Sequence, residues 1–301
     1  MTLGTIAAVV VTFNRCALLE RVLESLARQT RIPDCVIVVD NASEDDTAHM
    51  LALVAQSYPV PLRVLRMERN LGGAGGFHRG VRDAYVNGHD AVWLMDDDTL
   101  PQAEALEFLE RDLQQFETAH RQQPGFICST VLWRDGQFCV MNVPQPARDW
   151  CRFLPGQLPV VLIESCSFVS VLIPRAKIAQ AGYPIPEFFI WYDDVEYTSR
   201  ISALGHSGLL SMRSTVVHEI ADNAGVDFSR IPESAVWKHA YGLRNQAAVL
   251  RWRRGWVHYL AFAIGRARIV LRQRLGWSAK RKLLWSLVAA AAFHPKVELP
   301  K

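Results

Sequence analysis

The chain has 301 residues, half of them hydrophobic and 21% charged, an ordinary globular composition able to bury one large core or two small ones. Its net charge of +3 hides an asymmetry: 12 of the 33 Lys/Arg but only one of the 30 acidic residues fall from Arg251 onward, so a body of net −8 precedes a tail of net +11. The six cysteines (Cys16, Cys35, Cys128, Cys139, Cys151, Cys166) form no CxxC pair and no zinc spacing, which fits a reduced, cytoplasmic setting.

In chain order, the opening "MTLGTIAAVVVTFNR" lacks a basic leader, and its short valine-rich run reads as a first buried strand, not a signal peptide. The strand "IAAVVVTF" is followed by "ALLERVLESLARQ", where Leu18, Leu19, Val22, Leu23 and Leu26 have helical spacing. The alternation recurs. "CVIVVDN" leads into "SEDDTAHMLALVAQ" with Ser43 as expected N-cap, and "LRVLRM" leads through "NLGGAGGF" into a helix from near Arg79 to Val86. "AVWLMDDD" then leads into "PQAEALEFLERDLQQF", with Pro101 expected in the first helical turn. Four strand–helix units predict an α/β fold, a Rossmann-like, mostly parallel sheet with helices on both faces. After "GFICSTVLW" the rhythm breaks, and Arg134 to Pro159 reads as an excursion. Regular structure resumes with "VVLIESCSFVSVLIP", a helix in "YDDVEYTSRISALGH", a short strand pair in "GLLSMRSTVVHE" and a long helix from near Pro232. There is no internal repeat or low-complexity linker.

Ligands of an open parallel sheet bind outside the carboxyl ends of its strands, where Asn14, Arg15, Asp40, Asn41, Asn70 to Gly76 and Asp96 to Asp98 are expected. Three adjacent carboxylates at the edge of a core repel one another and lose hydration, so Asp96, Asp97 and Asp98 call for a cation. Asp96 and Asp98, two residues apart on an extended stretch, face the same way and suit Mg²⁺ or Mn²⁺, with Asp97 pointing elsewhere. The glycines of "NLGGAGGF" either let backbone N–H groups approach a ligand or let a helix pack on the sheet; they match neither a P-loop nor a dinucleotide fingerprint. Asp193 and Asp194 open a helix after an aromatic run, as capping groups or as a general base beside Trp191 and Tyr192, whose flat faces suit a sugar. His218 ends an apolar strand, and a cation held by two carboxylates has room for an imidazole.

In this order, "VVTFNR", "VVDNASEDDT", "NLGGAGGF", "WLMDDD", "WYDDVEY", a histidine and "YGLRN" resemble the family 2 inverting glycosyltransferases of GT-A fold, bacterial galactofuranosyltransferases above all, over residues 6 to 245. The resemblance implies that Thr12, Arg15 and Asp40 hold the nucleotide, with Asp40 near the uracil and Asn70, Gly72, Gly73 and Asp97 on the same side. It implies Asp96 and Asp98 as metal and diphosphate ligands with His218 as a further ligand, Asp194 as base, Asp193 as its acidic neighbour, and Trp191, Tyr192 and Glu196 as acceptor-binding. Tyr192 departs from the family pattern by lengthening the spacing from Trp191 to the acidic pair. The implied activity is transfer of galactofuranose from UDP-galactofuranose, with inversion, to a hydroxyl of a lipid-linked or polysaccharide acceptor in cell-envelope glycan synthesis. A rhamnosyltransferase using dTDP-rhamnose is the alternative. A sugar-nucleotide pyrophosphorylase would carry an early G-x-G-T-R-x stretch where this chain has "TFNRCALLE", and a non-catalytic nucleotide-sugar binding protein would not need both acidic clusters.

Residues 1–230 are expected to form the catalytic domain and 231–301 a helical, basic, membrane-associating region. The tail's apolar runs, "VHYLAFAI" and "LLWSLVAAAAF", are shorter than the ~20 residues a spanning helix needs. Trp252, Trp256, Trp277 and Trp285 lie there among Arg and Lys, the mixture of helices that lie in an anionic headgroup layer, the alternative being a packed helical subdomain with a solvated basic face. The expected place is peripheral, at the inner face of the cell membrane, without a nucleic-acid partner and with homo-oligomerisation left open.

Overall fold

The computed structural model describes residues 3–153 and 158–301, so residues 154–157 of the expected excursion and the first two of the opening segment lie outside the described residues. The expected alternations are present: β1 (Ile6–Thr12) and α1 (Cys16–Ala27), β2 (Cys35–Asp40) and α2 (Thr47–Val54), β3 (Leu62–Arg66) and α3 (Gly72–Val86). β4 (Ala91–Asp96) follows and, after a short strand β5 (Thr99–Pro101), α4 (Ala105–His120). The run β3-β2-β1-β4 is parallel throughout. β1 is buried along its whole length, and its alternate residues serve opposite faces. Ile6, Ala8 and Val10 join the core formed with Leu19 and Leu23 of α1 and Leu109 of α4, whereas Ala7, Val9 and Val11 join Phe77, Val81 and Ala84 of α3.

Beyond β4 the sheet becomes mixed. β6 (Phe126–Trp133), β7 (Gln145–Pro146), β8 (Val160–Ser165), β9 (Val171–Pro174) and β10 (Gly208–His218) continue it in the order β4-β9-β6-β10-β8-β7, and β9 is antiparallel to both β4 and β6. Helices α5 (Arg175–Ala181) and α6 (Asp193–Ala203) add Ile178 and Tyr197 to the α3 face. The expected strand pair in "GLLSMRSTVVHE" is a single strand, β10, whose register against β6 shifts between Leu210 and Thr215. Its first half pairs with β8 and its last three residues with β5, setting His218 opposite Thr99 and so beside the acidic triplet.

Three local expectations are corrected. Pro101 lies in β5 opposite Val216, and the helix starts only at Ala105. Ser43 does not cap α2: its hydroxyl accepts the Asn14 N–H (2.9 Å), and Asp45 Oδ1 accepts that of Thr47 (3.1 Å). The glycine stretch is mostly helix, because α3 already begins at Gly72. A Cβ on Gly76 or Gly80 would come within 2.4 Å of Val11 or 2.3 Å of Val9, so these two glycines let α3 lie directly on β1. Gly72, at φ +73°, is closed over by the Phe189 carbonyl, and Gly73 faces open space.

The C-terminal helices α7 (Val236–Arg254), α8 (Trp256–Arg272) and α9 (Trp277–Ala292) share a core of their own that includes Leu243, Ala247, Tyr259, Leu283 and Leu287. They are tied to the body. Val249 packs with Ala74, Ile185 and Phe188, Arg253 pairs with Glu164 (3.1 Å), and Glu298 reaches Arg82 (3.2 Å) and His78 (3.4 Å). Among the described residues no helix is long and apolar enough to cross a membrane. Gly80→Val should lower unfolding free energy by about 1–3 kcal/mol in urea titrations, since its methyls meet the stiff side chains of Val9 and Val39.

Candidate active site

The carboxyl ends of β1, β4 and β10 and the start of α6 open on one cavity of about 700 Å³, whose walls include Arg15, Gly73, Asp96, Asp97, Asp98, Asp193, Asp194 and His218. Within it, each aspartate of the triplet meets a different fate. Asp97 turns toward β1: its Oδ2 accepts from Thr12 Oγ1 (2.7 Å) and the Phe13 N–H (3.3 Å), and its Oδ1 takes Arg15 Nη1 (3.1 Å). The same Arg15 nitrogen contacts Asp98, which also lies 3.1 Å from His218 Nε2. Asp96 has a carboxylate with no hydrogen-bond or ion-pair partner among the described residues. Burial and the charge of Asp98 push it up to about 7. Burial likewise drives Asp97 up to about 6, against the pull of Arg15. Asp98 is held below the usual carboxylate range, because His218 and Arg15 together outweigh its burial. A cationic partner for the triplet is thus supplied by Arg15, yet it leaves Asp96 uncompensated.

Asp96, Asp98 and His218 each present a ligand atom, and these atoms lie within 4.8 Å of one another. Two hard oxygens and one imidazole suit Mg²⁺ or Mn²⁺. The fit extends to the next layer. His218 Nδ1 lies 2.8 Å from Asn142 Oδ1, and Asn142 in turn donates to Ser167 Oγ (3.0 Å). With Nδ1 donating to Asn142, Nε2 donates to Asp98 in this structure and would offer its lone pair only once a cation displaced that proton. Asn142 comes from the excursion, where nothing in the sequence marked it.

On the other wall, Asp194 Oδ1 accepts its neighbour's N–H from Val195 (2.7 Å) at the first turn of α6. Burial pushes Asp194 up to about 6 against backbone donors of Val195, Asp194 and Phe168. Asp193 is raised well above its usual value by burial and by the Asp194 charge. The chain enters this turn under strain: Phe189, Trp191 and Tyr192 all have positive φ (65°, 64° and 71°). Buried Asn245 of α7 offsets that strain by donating to the carbonyls of Phe188, Ile190 and Trp191 (3.0, 3.0 and 2.8 Å), and Arg244 adds a bond to Glu187 O (2.7 Å). "YGLRN" thus supplies a brace, while Trp191 and Tyr192 line the cavity.

Other expected residues stand elsewhere. Glu196 is buried and spent on Arg200 (2.9 Å), so it does not face the cavity where an acceptor would sit. Asp40 is buried, accepting the Ser43 N–H (2.8 Å) and pairing with Arg66 (3.1 Å), and Thr12 is turned to Asp97. Asn70 accepts the Gly72 N–H (2.7 Å), so these two residues fix the start of α3, and of the donor-side glycines only Gly73 lines the cavity. The His218 geometry gives a test. Asn142→Ala, which frees the imidazole to rotate and to change tautomer, should weaken Mn²⁺ binding by about 10–100-fold in a calorimetric titration. Asp96→Ala and Asp98→Ala should abolish it.

Residues 7–143 match the family model described as glycosyl transferase family 2. Galactofuranosyltransferase GlfT1 of Mycolicibacterium smegmatis is 43% identical over 96 residues, a stretch that covers 32% of this chain and 30% of that relative. The N-acetylglucosaminyl-diphospho-decaprenol L-rhamnosyltransferase of Mycobacterium tuberculosis is 27% identical over 251 residues, covering 73% of this chain and 77% of its own length. Among solved structures, GalNAc-T7 with UDP, GalNAc and Mn²⁺ has the same fold, with a TM-score of 0.64 at 15% identity over 99% of this chain and 55% of that one. The parallel half-sheet, the acidic cluster at its carboxyl edge and the matched segment agree: over residues 7–143 the chain is similar to glycosyl transferase family 2, it shares the fold of the glycosyltransferase structures it resembles, and galactofuranosyltransferases are among its partial relatives.

Proposed function

We propose that the protein is an inverting, metal-dependent glycosyltransferase that moves galactofuranose from UDP-galactofuranose to a hydroxyl of a lipid-linked acceptor in cell-envelope glycan synthesis. The observation that carries this reading is the convergence of Asp96, Asp98, His218 and Asp194 on one cavity. A divalent cation held by Asp96, Asp98 and His218 would neutralise the donor diphosphate and the charge it gains on departure. Arg15, at the same rim, is placed to stabilise that diphosphate as well. Asp194 takes the proton of the acceptor hydroxyl as its oxygen bonds to the anomeric carbon, and the carbon–oxygen bond to the diphosphate breaks with its electron pair on the nucleotide. Attack from the face opposite the leaving group inverts the anomeric centre. Trp191 and Tyr192 offer flat apolar faces to the acceptor sugar.

A second reading, rhamnosyl transfer from dTDP-rhamnose, is favoured by the longer alignment with the rhamnosyltransferase relative. Nucleoside diphosphate release from a panel of UDP-galactofuranose, UDP-galactopyranose, UDP-glucose and dTDP-rhamnose, with a lipid-linked disaccharide, separates the two. On the accepted donor, Asp194→Asn should cost about 10²–10⁴ in kcat. Because the base must be ionised and Asp194 is raised to about 6, kcat of the wild type should fall as pH drops through that value. A larger loss for Asp193→Asn than for Asp194→Asn would reverse the assignment.

Residues 231–301 complete the reading as a peripheral anchor on the inner leaflet. Trp256, Val257, Leu260 and Ile264 of α8 and Trp277, Trp285 and Val288 of α9 are exposed among Arg and Lys. Apolar side chains flanked by cations suit an anionic headgroup layer. In liposome flotation the protein should bind phosphatidylglycerol vesicles, release them in high salt and ignore phosphatidylcholine. Equal binding to both, or to neither, counts against the anchor.

A further inference from the structure

Besides its carboxylates the cavity is lined by two cations, Lys238 of α7 and Arg266 of α8, by the aromatic Tyr192 and Phe228, and by the exposed Val140 and Val226. Tyr192 feels the charges of both Arg266 and Asp194. Neither cation has a carboxylate partner among the described residues. Each rests on aromatic faces: Arg266 over Phe228 (4.7 Å) and Phe262 (5.2 Å), Lys238 over Trp237 (5.5 Å). Aromatic stacking orients a cation without neutralising it. Both are only part-exposed, so their charge is less screened than on an open surface. Two cations without carboxylate partners that face one cavity are an anion site in waiting.

On the transferase reading the donor diphosphate falls to Arg15 and the Asp96, Asp98 and His218 cluster, which leaves Lys238 and Arg266 without a role. The two valines narrow the choice of anion. Val140 and Val226 are 55% and 38% exposed, and apolar side chains held in water beside two cations match an amphiphile whose charged group enters first and whose chain stays at the rim.

We propose that Lys238 and Arg266 form a phosphate subsite that takes the diphosphate of a prenyl-diphosphate-linked acceptor, a reading that rests on the transferase function above. Arg266 supplies a planar fork for two phosphate oxygens, and Lys238 a point charge. The saccharide beyond the diphosphate is thereby aimed past Tyr192 at Asp194.

Binding tests this without turnover. With the donor end filled by saturating UDP and Mn²⁺, farnesyl diphosphate is titrated by calorimetry against the full-length protein, with farnesol as the uncharged control. Farnesyl diphosphate should bind the UDP-loaded protein at least about tenfold more tightly than farnesol. Lys238→Gln and Arg266→Gln should each weaken it severalfold, Arg266→Lys should restore part of the loss, and the affinity for UDP should stay within twofold. Unchanged farnesyl diphosphate affinity in both Gln variants overturns the proposal. So does a loss that falls on UDP, which assigns the two cations to the donor, or exclusion of farnesyl diphosphate by UDP. Failure of the donor panel with these binding results intact would remove the transferase reading alone.

Discussion

Five carboxylates on one cavity are the constraint to which the rest of the molecule answers. Asp96 to Asp98, Asp193 and Asp194 repel one another in a partly dehydrated space, and each needs its own remedy. Asp97 is absorbed by Thr12, the Phe13 N–H and Arg15, and Asp98 by Arg15 and His218. Asp194 is met by a backbone N–H at a helix start. Asp96 and Asp193 are left, and both are driven toward the neutral form. The carboxylate of Asp96, left without a partner beside Asp98 and His218, is what a divalent cation can use.

The acidic pair can stand at the wall only because the chain before it takes an unfavourable path. Three non-glycine residues with positive φ in four positions cost of order 1–3 kcal/mol each. The repayment comes from another part of the sequence: one amide, Asn245, gathers three carbonyls, and Gly242 leaves room for the Trp191 ring, whose edge would otherwise be 2.8 Å from a Cβ. α7 is therefore part of the site's scaffold, although it begins beyond residue 230.

The amino-acid sequence made the strand–helix rhythm legible, since apolar period and turn residues are local signals. It also made Asp96 and Asp98 legible, because two-residue spacing on an extended chain carries over directly into facing side chains. What stayed hidden depends on distant pairings. His218 was legible as a candidate ligand but not the β5–β10 register that brings it to Asp98, Asn142 sits in a stretch without periodicity, and Glu196 was taken from analogy although an i,i+4 arginine claims it. The glycines of α3 were ambiguous for the same reason. Only the position of β1 beneath the helix tells that Gly76 and Gly80 serve packing whereas Gly73 faces the cavity.

Helix α8 both lines the cavity, through Arg266, and carries an exposed tryptophan, Trp256, and helical geometry separates the two duties. Arg266 follows Val257 by nine residues, about two and a half turns at 3.6 residues per turn, so the two side chains project from opposite sides of α8. One side looks into the cavity and the other outward, where Val257 is 77% exposed. A surface bound by the outer side lies about one helix diameter, ~10–12 Å, from the inner one. Since α7 packs against both α8 and α9 and also holds the segment before Asp193, whatever the outer faces touch is fixed in position relative to Asp194 by a continuous core.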